Sequence, residues 1–485
     1  MLPALPPPNI LFAIADDQSY PYASAYVQTE PEVANMVHTP GFDFVAGHGV
    51  AFTNAFATSP GSSPSRASIL TGRFPWQIEE AGTHASSFPA KYVCYPDIFA
   101  AKGYRVGFTG KGWGPGNWEV SGRKHNPAGP AYNELKLVPP HQGISKIDYS
   151  ANFSHFLDSL QEGQPFCFWY GAHEPHRPYT TDSWKEEGKS LSDVPVPPYL
   201  PDVPVVRGDF LDYAVEIEWF DLHLQRIIEE LQKRDMLENT IIIVTADNGM
   251  PFPRAKANCY DAGTHVPLAI CWGNRVSHPH LEQTIVSLVD IFPTLMDLAQ
   301  IEYDGELAGQ TPLLGFSQEA YTSTVAMSGR ERHSCARYNN YGYPIRSIRS
   351  GQYQLIRNFH PERWPAGASF AIGQSNLQKG YADIDDCPTK TFMISHREEA
   401  EFAPFFEAAV SKRPEYELFD LQSDPYCLHN LAGTPEYHDL FIEMKMLLEN
   451  RLVGTGDTRL VGNDPDVWEH YPRLAGPMRE FPDEP

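Results

Sequence analysis

Residues 58–74 read TSPGSSPSRASILTGRF, a loop of small residues that runs into a predicted helix. Pro64 suits the first turn of a helix because its missing N–H costs nothing there. Ser62 would then lie beside the free N–H groups of that turn, which attract anions together with the helix dipole. Arg66 adds a fixed positive charge. The stretch therefore predicts an anion-binding helix start, although the same pattern is typical of an ordinary serine-capped helix.

Apolar runs and helical patterns alternate along the first part of the chain. Residues 9–15 read NILFAIA and residues 240–246 read TIIIVTA, and such nearly unbroken apolar runs predict buried parallel strands. Strands that alternate with helices predict βαβ units and a mostly parallel sheet. Ligands of open α/β sheets bind outside the carboxyl ends of the strands. We therefore expect the polar clusters that follow these runs to meet at one edge of the sheet.

The sequence pattern changes in the last third of the chain. Short β-type runs separated by turns appear there, followed by one helical pattern and a tail rich in proline and charge. This predicts a small antiparallel sheet with a covering helix and a wrapping tail. We expect two units, an N-terminal α/β domain over residues 1–317 and a C-terminal subdomain over residues 318–485.

The bulk composition excludes several classes of protein. The chain has 485 residues and a formal net charge of −24, which argues against nucleic-acid binding. No apolar run is long enough to span a membrane. The first residues, MLPALPPPN, lack the regions of a secretory signal, so we expect a cytosolic start or a leader that has been removed. The cysteines form no C-x-x-C pair, which argues against zinc ribbons and leaves a single disulfide open.

Two acidic clusters follow the apolar runs quoted above. Asp16 and Asp17 come directly after the first run, and Asp247 and Asn248 come directly after the second. Each cluster alone is typical of a turn or a helix cap. Together they offer carboxylate and amide oxygens, a hard ligand set that suits Ca²⁺ or Mg²⁺ better than zinc.

Residues 62–66, SSPSR, and residues 70–73, LTGR, resemble the signature of the type I sulfatases. That signature is Cys/Ser-x-Pro-Ser-Arg followed by Leu-Thr-Gly-Arg, and in the family its first residue is oxidised to formylglycine. Residues 289–298 and 417–421 extend the resemblance to the family. The resemblance to the heparan N-sulfatase (sulfamidase) subgroup and its bacterial carbohydrate-sulfatase relatives rests on residues 342–349, 355–358 and 387–390.

The resemblance implies an alkaline-phosphatase-like α/β fold, with the catalytic site in the N-terminal domain. Position 62 would carry formylglycine in the active form. The residues that match the family's cation ligands, usually for Ca²⁺ and alternatively for Mg²⁺, are Asp16, Asp17, Asp247 and Asn248. The other matching catalytic residues are Arg66, Lys111, His176 and Lys256.

Several of these positions carry further expectations. Lys111 lies in GKGWG, where the family has a histidine two positions on and this chain has Trp113, which we expect to offer a stacking face to a sugar ring. His176 would donate to the bridging oxygen or the sulfate. His173 would support it or contact the substrate, with a neutral core histidine as the alternative. Lys256 would hold the sulfate and assist the leaving group, and Arg254 is the less favoured substitute.

The last third of the chain holds a concentrated basic region. We expect Arg332, His333 and Arg346 to form part of a wall that contacts a sulfated or carboxylated glycan. Ion pairing with the excess carboxylates is the alternative interpretation of the same residues.

Together these patterns predict a carbohydrate sulfatase that hydrolyses a sulfate ester or sulfamate of a sulfated oligosaccharide or polysaccharide. It would be matured by a formylglycine-generating enzyme and located in the periplasm or secreted, with a cytoplasmic location as the alternative. Ser62 allows two interpretations, a serine-type sulfatase or an inactivating Cys-to-Ser substitution, because a plain serine has a single hydroxyl. The alternative functions are a phosphonate or phosphate monoester hydrolase of the same superfamily and an inactive glycan-binding pseudo-sulfatase.

Overall fold

The computed structural model describes residues 6–276, 278–310, 324–374 and 379–483, and every structural statement below concerns these residues. The strands are β1 (Asn9–Ala15), β2 (Gly49–Phe56), β3 (Arg105–Gly110), β4 (Phe166–Gly171), β5 (Thr240–Ala246), β6 (His265–Trp272), β7 (His280–Glu282), β8 (Val286–Ser287), β9 (Val325–Arg330), β10 (Ile345–Ser350), β11 (Tyr353–Asn358) and β12 (Tyr416–Asp420).

Helices alternate with the strands from β1 to β6, and further helices follow β8, β11 and β12. They are α1 (Pro40–Gly47), α2 (Ser62–Thr71), α3 (Tyr95–Ala101), α4 (Tyr149–Asp158), α5 (Ser183–Glu186), α6 (Pro204–Lys233), α7 (Asp261–Thr264), α8 (Ile291–Leu298), α9 (Pro388–Ser395), α10 (Ala403–Val410), α11 (His438–Gly454) and α12 (Thr458–Val461).

A large mixed sheet forms the centre of the N-terminal part. It has eight strands in the order β3-β4-β1-β5-β6-β2-β7, and β8 also pairs with β2. β1 runs parallel to β4 and β5, whereas β6 runs antiparallel to both β5 and β2. Every residue of β1 and β5 is buried, as the apolar runs in their sequences predict for strands covered on both faces. The helices α6, α1 and α4 pack together, and α2 packs against α3 and α8.

A second, antiparallel sheet lies in the C-terminal part. Its four strands follow the order β12-β11-β10-β9, each antiparallel to its neighbour. Helix α11 packs against β11 and β10 and buries Met444, Leu448 and Leu452 in a cluster with Trp76 of the N-terminal part. The C-terminal sheet and its covering helix therefore share an apolar cluster with the N-terminal part.

The predicted fold class, a large mostly parallel sheet with a smaller antiparallel sheet, is confirmed. The predicted boundary between residues 317 and 318 lies outside the described residues and stays a prediction. The seven cysteines all lie within the described ranges, and each is free and buried. Among the described residues, no helix has the length and apolarity needed to cross a membrane.

Candidate active site

The register of the large sheet brings the polar clusters to one edge. Ala15 of β1 pairs with Ala246 of β5, so Asp16 and Asp247 follow at neighbouring strand ends. Gly110 of β3 pairs with Gly171 of β4, and the N–H of Lys111 donates to the carbonyl of Gly171 at 2.6 Å. These strands run in the same direction, so all of these polar residues emerge at the same edge.

Ser62 is the first residue of α2 and lies 2% exposed at the centre of the cluster. Its Oγ donates to Asp16 Oδ1 at 2.9 Å. The ammonium of Lys111 donates to Ser62 Oγ at 3.1 Å and to Asp16 Oδ2 at 2.6 Å. The hydroxyl at position 62 is therefore held between an acceptor and a cation, at a helix N-terminus that favours negative charge.

Arg66 lies on the next turn of α2 and is fully buried. Its Nε donates to Asp247 Oδ2 at 2.7 Å, and its Nη1 donates to the carbonyls of Lys111 and Gly112 at 2.9 and 3.1 Å. Its Nη2 has no hydrogen-bond partner in the described parts of the chain and lies 3.6 Å from Asp16 Oδ1. Arg66 thus fixes the Lys111 loop while part of its guanidinium still faces the cluster.

Three buried carboxylates meet beside Ser62. Oxygen atoms of Asp16, Asp17 and Asp247 lie within 4.8 Å of one another. Burial, reinforced by the neighbouring carboxylates, raises the pKa of Asp247 to about 6, although Arg66 opposes this. Burial also disfavours the charged form of Asp16, but Lys111 and Arg66 outweigh it and hold the pKa of Asp16 well below its ordinary value. A cluster of this kind needs positive charge to remain ionised.

The cluster fits a hard divalent cation. Asn248 donates through Nδ2 to Asp17 Oδ1 at 2.8 Å, which places its amide within the cluster. Its Oδ1 is buried and has no hydrogen-bond partner among the described residues. An orphaned buried amide oxygen beside three carboxylates is the ligand set that Ca²⁺ and Mg²⁺ take in proteins.

Lys256 adds a second buried ammonium on the other side of Asp17. Its Nζ donates to Asp17 Oδ2 at 2.6 Å and to Asp385 Oδ2 at 3.0 Å. Burial alone would lower the pKa of Lys256, but these two carboxylates hold it above its ordinary value. Lys256 is therefore a permanent cation of the cluster. Arg254 instead donates to the carbonyl of Cys427, away from Asp17.

His176 and His173 follow β4 and line an open cleft of about 660 Å³ together with Asp16 and Lys111. The Nδ1 of His176 lies 2.6 Å from the carbonyl of Arg177 and must donate to it, because a carbonyl oxygen only accepts. The Nε2 of His176 then faces Asp17 Oδ2 at 3.8 Å. His173 is exposed at the mouth of the cleft.

The structure corrects the prediction for Trp113. Its side chain is only 3% exposed, its Nε1 donates to the carbonyl of Ser63 at 3.0 Å, and its ring packs edge-on against Phe88. Trp113 belongs to the core that supports the Ser62 loop and offers no stacking face to a sugar. The sequence shows that Trp113 lies near Lys111 in the chain. It does not show whether the ring points into the core or into the cleft.

Two of the three predicted glycan contacts in the basic region are also corrected. Arg346 is buried and pairs with Asp457 and Glu331 at 2.7 and 2.6 Å. Arg332 is buried and donates to the carbonyl of Tyr471 at 2.9 Å, which ties down the tail. The alternative interpretation, ion pairing with carboxylates, describes Arg346, whereas Arg332 donates to backbone carbonyls.

His333 is buried but lies beside the site. Its ring contacts that of His84 at 4.6 Å between centroids, and a Cβ on Gly61 would lie 3.1 Å from its Nδ1. Burial lowers the pKa of His333 to about 3, so the imidazole is neutral at ordinary pH. It supports the loop that precedes Ser62.

Sequence reasoning missed Asp385 and Glu174. Asp385 lies in an acidic run whose spacing gives no sign of which carboxylate turns inward. Glu174 is buried in the cleft wall, where it accepts from the N–H of Ser145 and the hydroxyl of Tyr149, both at 2.7 Å. Its position between the two histidines is a signal that the sequence did contain.

The comparisons with known proteins agree with this geometry. The family model described as Sulfatase matches residues 8–301, more than half of the chain. The chain therefore belongs to the sulfatase family, and it is a sulfuric ester hydrolase. The predicted resemblance to this family is confirmed.

Curated relatives cover almost the whole chain. An ulvan-active sulfatase of Formosa agariphila is 26% identical over 487 residues, covering 93% of this chain and 75% of that protein. The human N-sulphoglucosamine sulphohydrolase is 26% identical over 477 residues, covering 90% and 88%. An N-acetylglucosamine-6-O-sulfatase of Bacteroides thetaiotaomicron is 22% identical over 558 residues, covering 95% and 88%.

Solved structures share the fold. A protein solved with its substrate D-glucosamine-2-N,6-O-disulfate superposes with a TM-score of 0.67 at 19% identity, covering 95% of this chain and 99% of that one. A 2-O glycosaminoglycan sulfatase superposes with a TM-score of 0.64 at 19% identity, covering 97% and 99%.

Proposed function

We propose that this chain is a carbohydrate sulfatase that removes sulfate from an O-sulfated or N-sulfated sugar of a larger glycan. The observation that carries the proposal is the position of Ser62 Oγ, between Asp16 Oδ1 at 2.9 Å and Lys111 Nζ at 3.1 Å, beside the carboxylate cluster. A nucleophile that attacks a sulfate group needs a hydrogen-bond acceptor for its hydroxyl and fixed cations for the negative charge of the sulfate. Position 62 has both.

Position 62 is the proposed site of formylglycine. Its hydrate would supply one hydroxyl to attack sulfur and a second whose collapse to the aldehyde would break the C–O bond to the sulfate and release it. Asp16 would orient the attacking hydroxyl by accepting a hydrogen bond from it, as it accepts one from Ser62 Oγ. Lys111 stabilises the negative charge that develops on that oxygen, and Arg66 keeps Lys111 in place through its loop carbonyls.

Asp16, Asp17, Asp247 and Asn248 are the proposed ligands of Ca²⁺, with Mg²⁺ as the alternative. When bound, the cation would supply positive charge to the sulfuryl oxygens. Arg66 already pairs with Asp247 at 2.7 Å, and Lys256 with Asp17 at 2.6 Å, so each ligand carboxylate is also oriented by a fixed cation.

His176 is the proposed proton donor to the leaving group. Its Nδ1 is committed to the carbonyl of Arg177, so the proton available to the cleft is on Nε2. Lys256 suits this role less well, because its two carboxylate partners hold its proton. Lys256 is proposed instead to bind the sulfate oxygens, and His173, at the mouth, to contact the sugar.

The proposed substrates are sulfated oligosaccharides or polysaccharides. This class is supported by relatives named for ulvan, N-sulphoglucosamine and N-acetylglucosamine-6-O-sulfate, and by a neighbour solved with a doubly sulfated glucosamine. These relatives include both N- and O-sulfatases, so the proposal covers both linkages. Periplasmic or secreted action, and maturation by a formylglycine-generating enzyme, belong to the same proposal.

An inactive, glycan-binding form is a second candidate, favoured by the plain serine at position 62. A serine has one hydroxyl and, once sulfated, has no second hydroxyl with which to expel the sulfate. Mass spectrometry of the peptide that spans Ser62 separates the candidates. Formylglycine there supports the enzyme, and an unmodified serine in natively expressed protein supports the binding form.

The test of the proposed function is sulfate release from a panel of sulfated glycans that includes N-sulfoglucosamine and sulfated galactans. The protein is the Ser62→Cys variant co-expressed with a formylglycine-generating enzyme, and Ser62→Ala treated identically is the matched control. We expect inorganic sulfate from at least one glycan with Ser62→Cys and none with Ser62→Ala. Turnover of an aryl phosphonate without sulfate from any glycan would reject the proposal.

A further inference from the structure

One carboxylate of the C-terminal part reaches the active-site cluster. Asp385 Oδ2 accepts from Lys256 Nζ at 3.0 Å, and 24% of its side chain is exposed. One oxygen each of Asp385 and Asp17 and one ring nitrogen of His176 lie within 4.8 Å of one another. Asp385 is thus part of the same cluster, although it lies more than a hundred residues beyond Lys256 in the chain.

The neighbours of Asp385 are anchored on both sides. Asp383 pairs with Arg337 at 2.7 Å and with Arg330 at 3.1 Å. Asp386 pairs with Lys390 at 3.2 Å, and the carbonyl of Ile384 accepts from the same ammonium at 2.9 Å. These contacts fix the backbone around Asp385. Of these three aspartates, Asp385 is the one that pairs with Lys256.

Lys256 divides its hydrogen bonds between two carboxylates. It donates to Asp17 at 2.6 Å and to Asp385 at 3.0 Å. Asp17 is also a proposed cation ligand, so the ammonium and a divalent cation compete for the same oxygens. Two positive charges at such short range repel strongly in a buried site. A second acceptor for Lys256 relieves this conflict.

We propose that Asp385 is a positioning residue that holds Lys256 when Asp17 is committed to a cation. This inference rests on the proposed function, because the cation site at Asp17 is part of it. Asp385 lets the ammonium move its hydrogen bond off Asp17 without leaving the cluster. Asp17 is then free to bind the cation, and Lys256 remains beside the sulfate site.

The test is a double-mutant cycle in Ca²⁺ affinity, measured by isothermal titration calorimetry on the full chain. The variants are Asp385→Asn, Lys256→Met and the double variant. With Lys256 present, Asp385→Asn is expected to weaken Ca²⁺ binding about tenfold, because a neutral amide is a weaker acceptor than a carboxylate and the ammonium shifts its hydrogen bond toward Asp17. In the Lys256→Met background, the same change is expected to weaken binding less than about threefold.

Glu398→Gln is the control, since it removes the same charge from an exposed residue of the same part of the chain. The Glu398 side chain is 83% exposed and pairs with Arg397, not with Lys256. We expect it to change Ca²⁺ affinity by less than about twofold. Thermal unfolding midpoints of all variants verify that each protein is folded.

Two outcomes would overturn the proposal alone. Equal weakening by Asp385→Asn in both backgrounds would mean that Asp385 acts on the cation itself and not through Lys256. Unchanged Ca²⁺ affinity in a folded Asp385→Asn protein would remove the role altogether. A failure of the unmutated protein to bind Ca²⁺ would instead reject the proposed cation site, and the inference with it.

Discussion

At the scale of single residues, the site is built from opposite charges placed at hydrogen-bond distance in a buried volume. Asp16 accepts from both Ser62 and Lys111, and Arg66 donates to Asp247 and to the loop that carries Lys111. In such surroundings an unpaired charge is costly, so each group fixes the position of the next. The side chain at position 62 is therefore preorganised before any substrate binds.

The residues that could be predicted from sequence are those tied to strand ends and to the helix start. Ser62, Arg66, Lys111, Asp16 and Asp247 all lie where the pattern placed them, because register and strand direction alone bring them together. The roles proposed for Trp113, Arg332 and Arg346 were wrong, because ring direction and ion pairing depend on side-chain packing. Local sequence holds no information on that packing.

A pH dependence of stability follows from His333. Its folded pKa of about 3 lies below the ordinary value of 6.5, because the ring is buried. The unfolded state therefore takes up the proton first as the pH falls below 6.5, and stability rises with pH across the window from 3 to 6.5. His333 contributes about 1.4 kcal/mol of unfolding free energy per pH unit there.

Urea denaturation at several pH values checks this prediction. His333→Gln should reduce the slope of unfolding free energy against pH by about one proton between pH 4 and 6. The control is His429→Gln, since 78% of the His429 side chain is exposed. Equal slopes for His333→Gln and the unmutated protein would contradict the burial argument.

At the scale of elements, the secondary structure of a segment depends both on its local sequence pattern and on its tertiary contacts. The apolar runs over residues 9–15 and 240–246 predict β1 and β5 with the observed bounds. The sequence of residues 284–299 has a helical pattern, but only Ile291–Leu298 is α-helical. Val286 and Ser287 instead pair with β2, so sheet formation overrides the helical pattern.

The link between β3 and Lys111 depends on Gly110. Its φ of 79° lies in the left-handed region, and a Cβ there would lie 1.9 Å from the carbonyl oxygen of Gly171. Gly110→Ala should therefore cost well over the roughly 1 kcal/mol of a left-handed alanine and displace Lys111, with loss of sulfate release. Urea denaturation and sulfate release measure the two effects.

Gly103 provides the matched control for that substitution. Its φ is 88°, but nothing lies within 4 Å of a Cβ built there. Gly103→Ala should lose only the unfolding free energy that a left-handed alanine costs, without a steric clash, and should retain activity. Equal losses of stability in the two variants would mean that the close approach of Gly110 to Gly171 has no energetic consequence.

At the scale of the whole molecule, the C-terminal part completes both the core and the site. The N–H of Gly329 in β9 donates to the carbonyl of Thr58 at 2.8 Å. The hydroxyl of Ser328 donates to the carbonyl of Ala57 at 2.6 Å. The loop that leads to Ser62 is thus hydrogen-bonded to the second sheet. The alternation of strands and helices predicts the layers of the fold. The contacts between residues 57–58 and 328–329 could not be predicted, because local sequence patterns do not show which distant segments meet.

The contacts between the N-terminal and C-terminal parts predict a single cooperative unfolding transition. Trp76 shares one apolar cluster with Met327, Ile348 and Leu448, so the core beneath the C-terminal sheet includes side chains of the N-terminal part. Differential scanning calorimetry should show one peak whose calorimetric and van't Hoff enthalpies agree. Two separate peaks would mean that the parts are stable independently.

The central claim is that the group at position 62 reacts with sulfate, and its most direct test is sulfate release as a function of formylglycine occupancy. Samples of Ser62→Cys are matured to different extents, the occupancy at position 62 is measured by mass spectrometry, and each is assayed on one glycan in Ca²⁺. We expect the rate to rise in proportion to occupancy and to extrapolate to zero in its absence. A rate that does not depend on occupancy would contradict the claim.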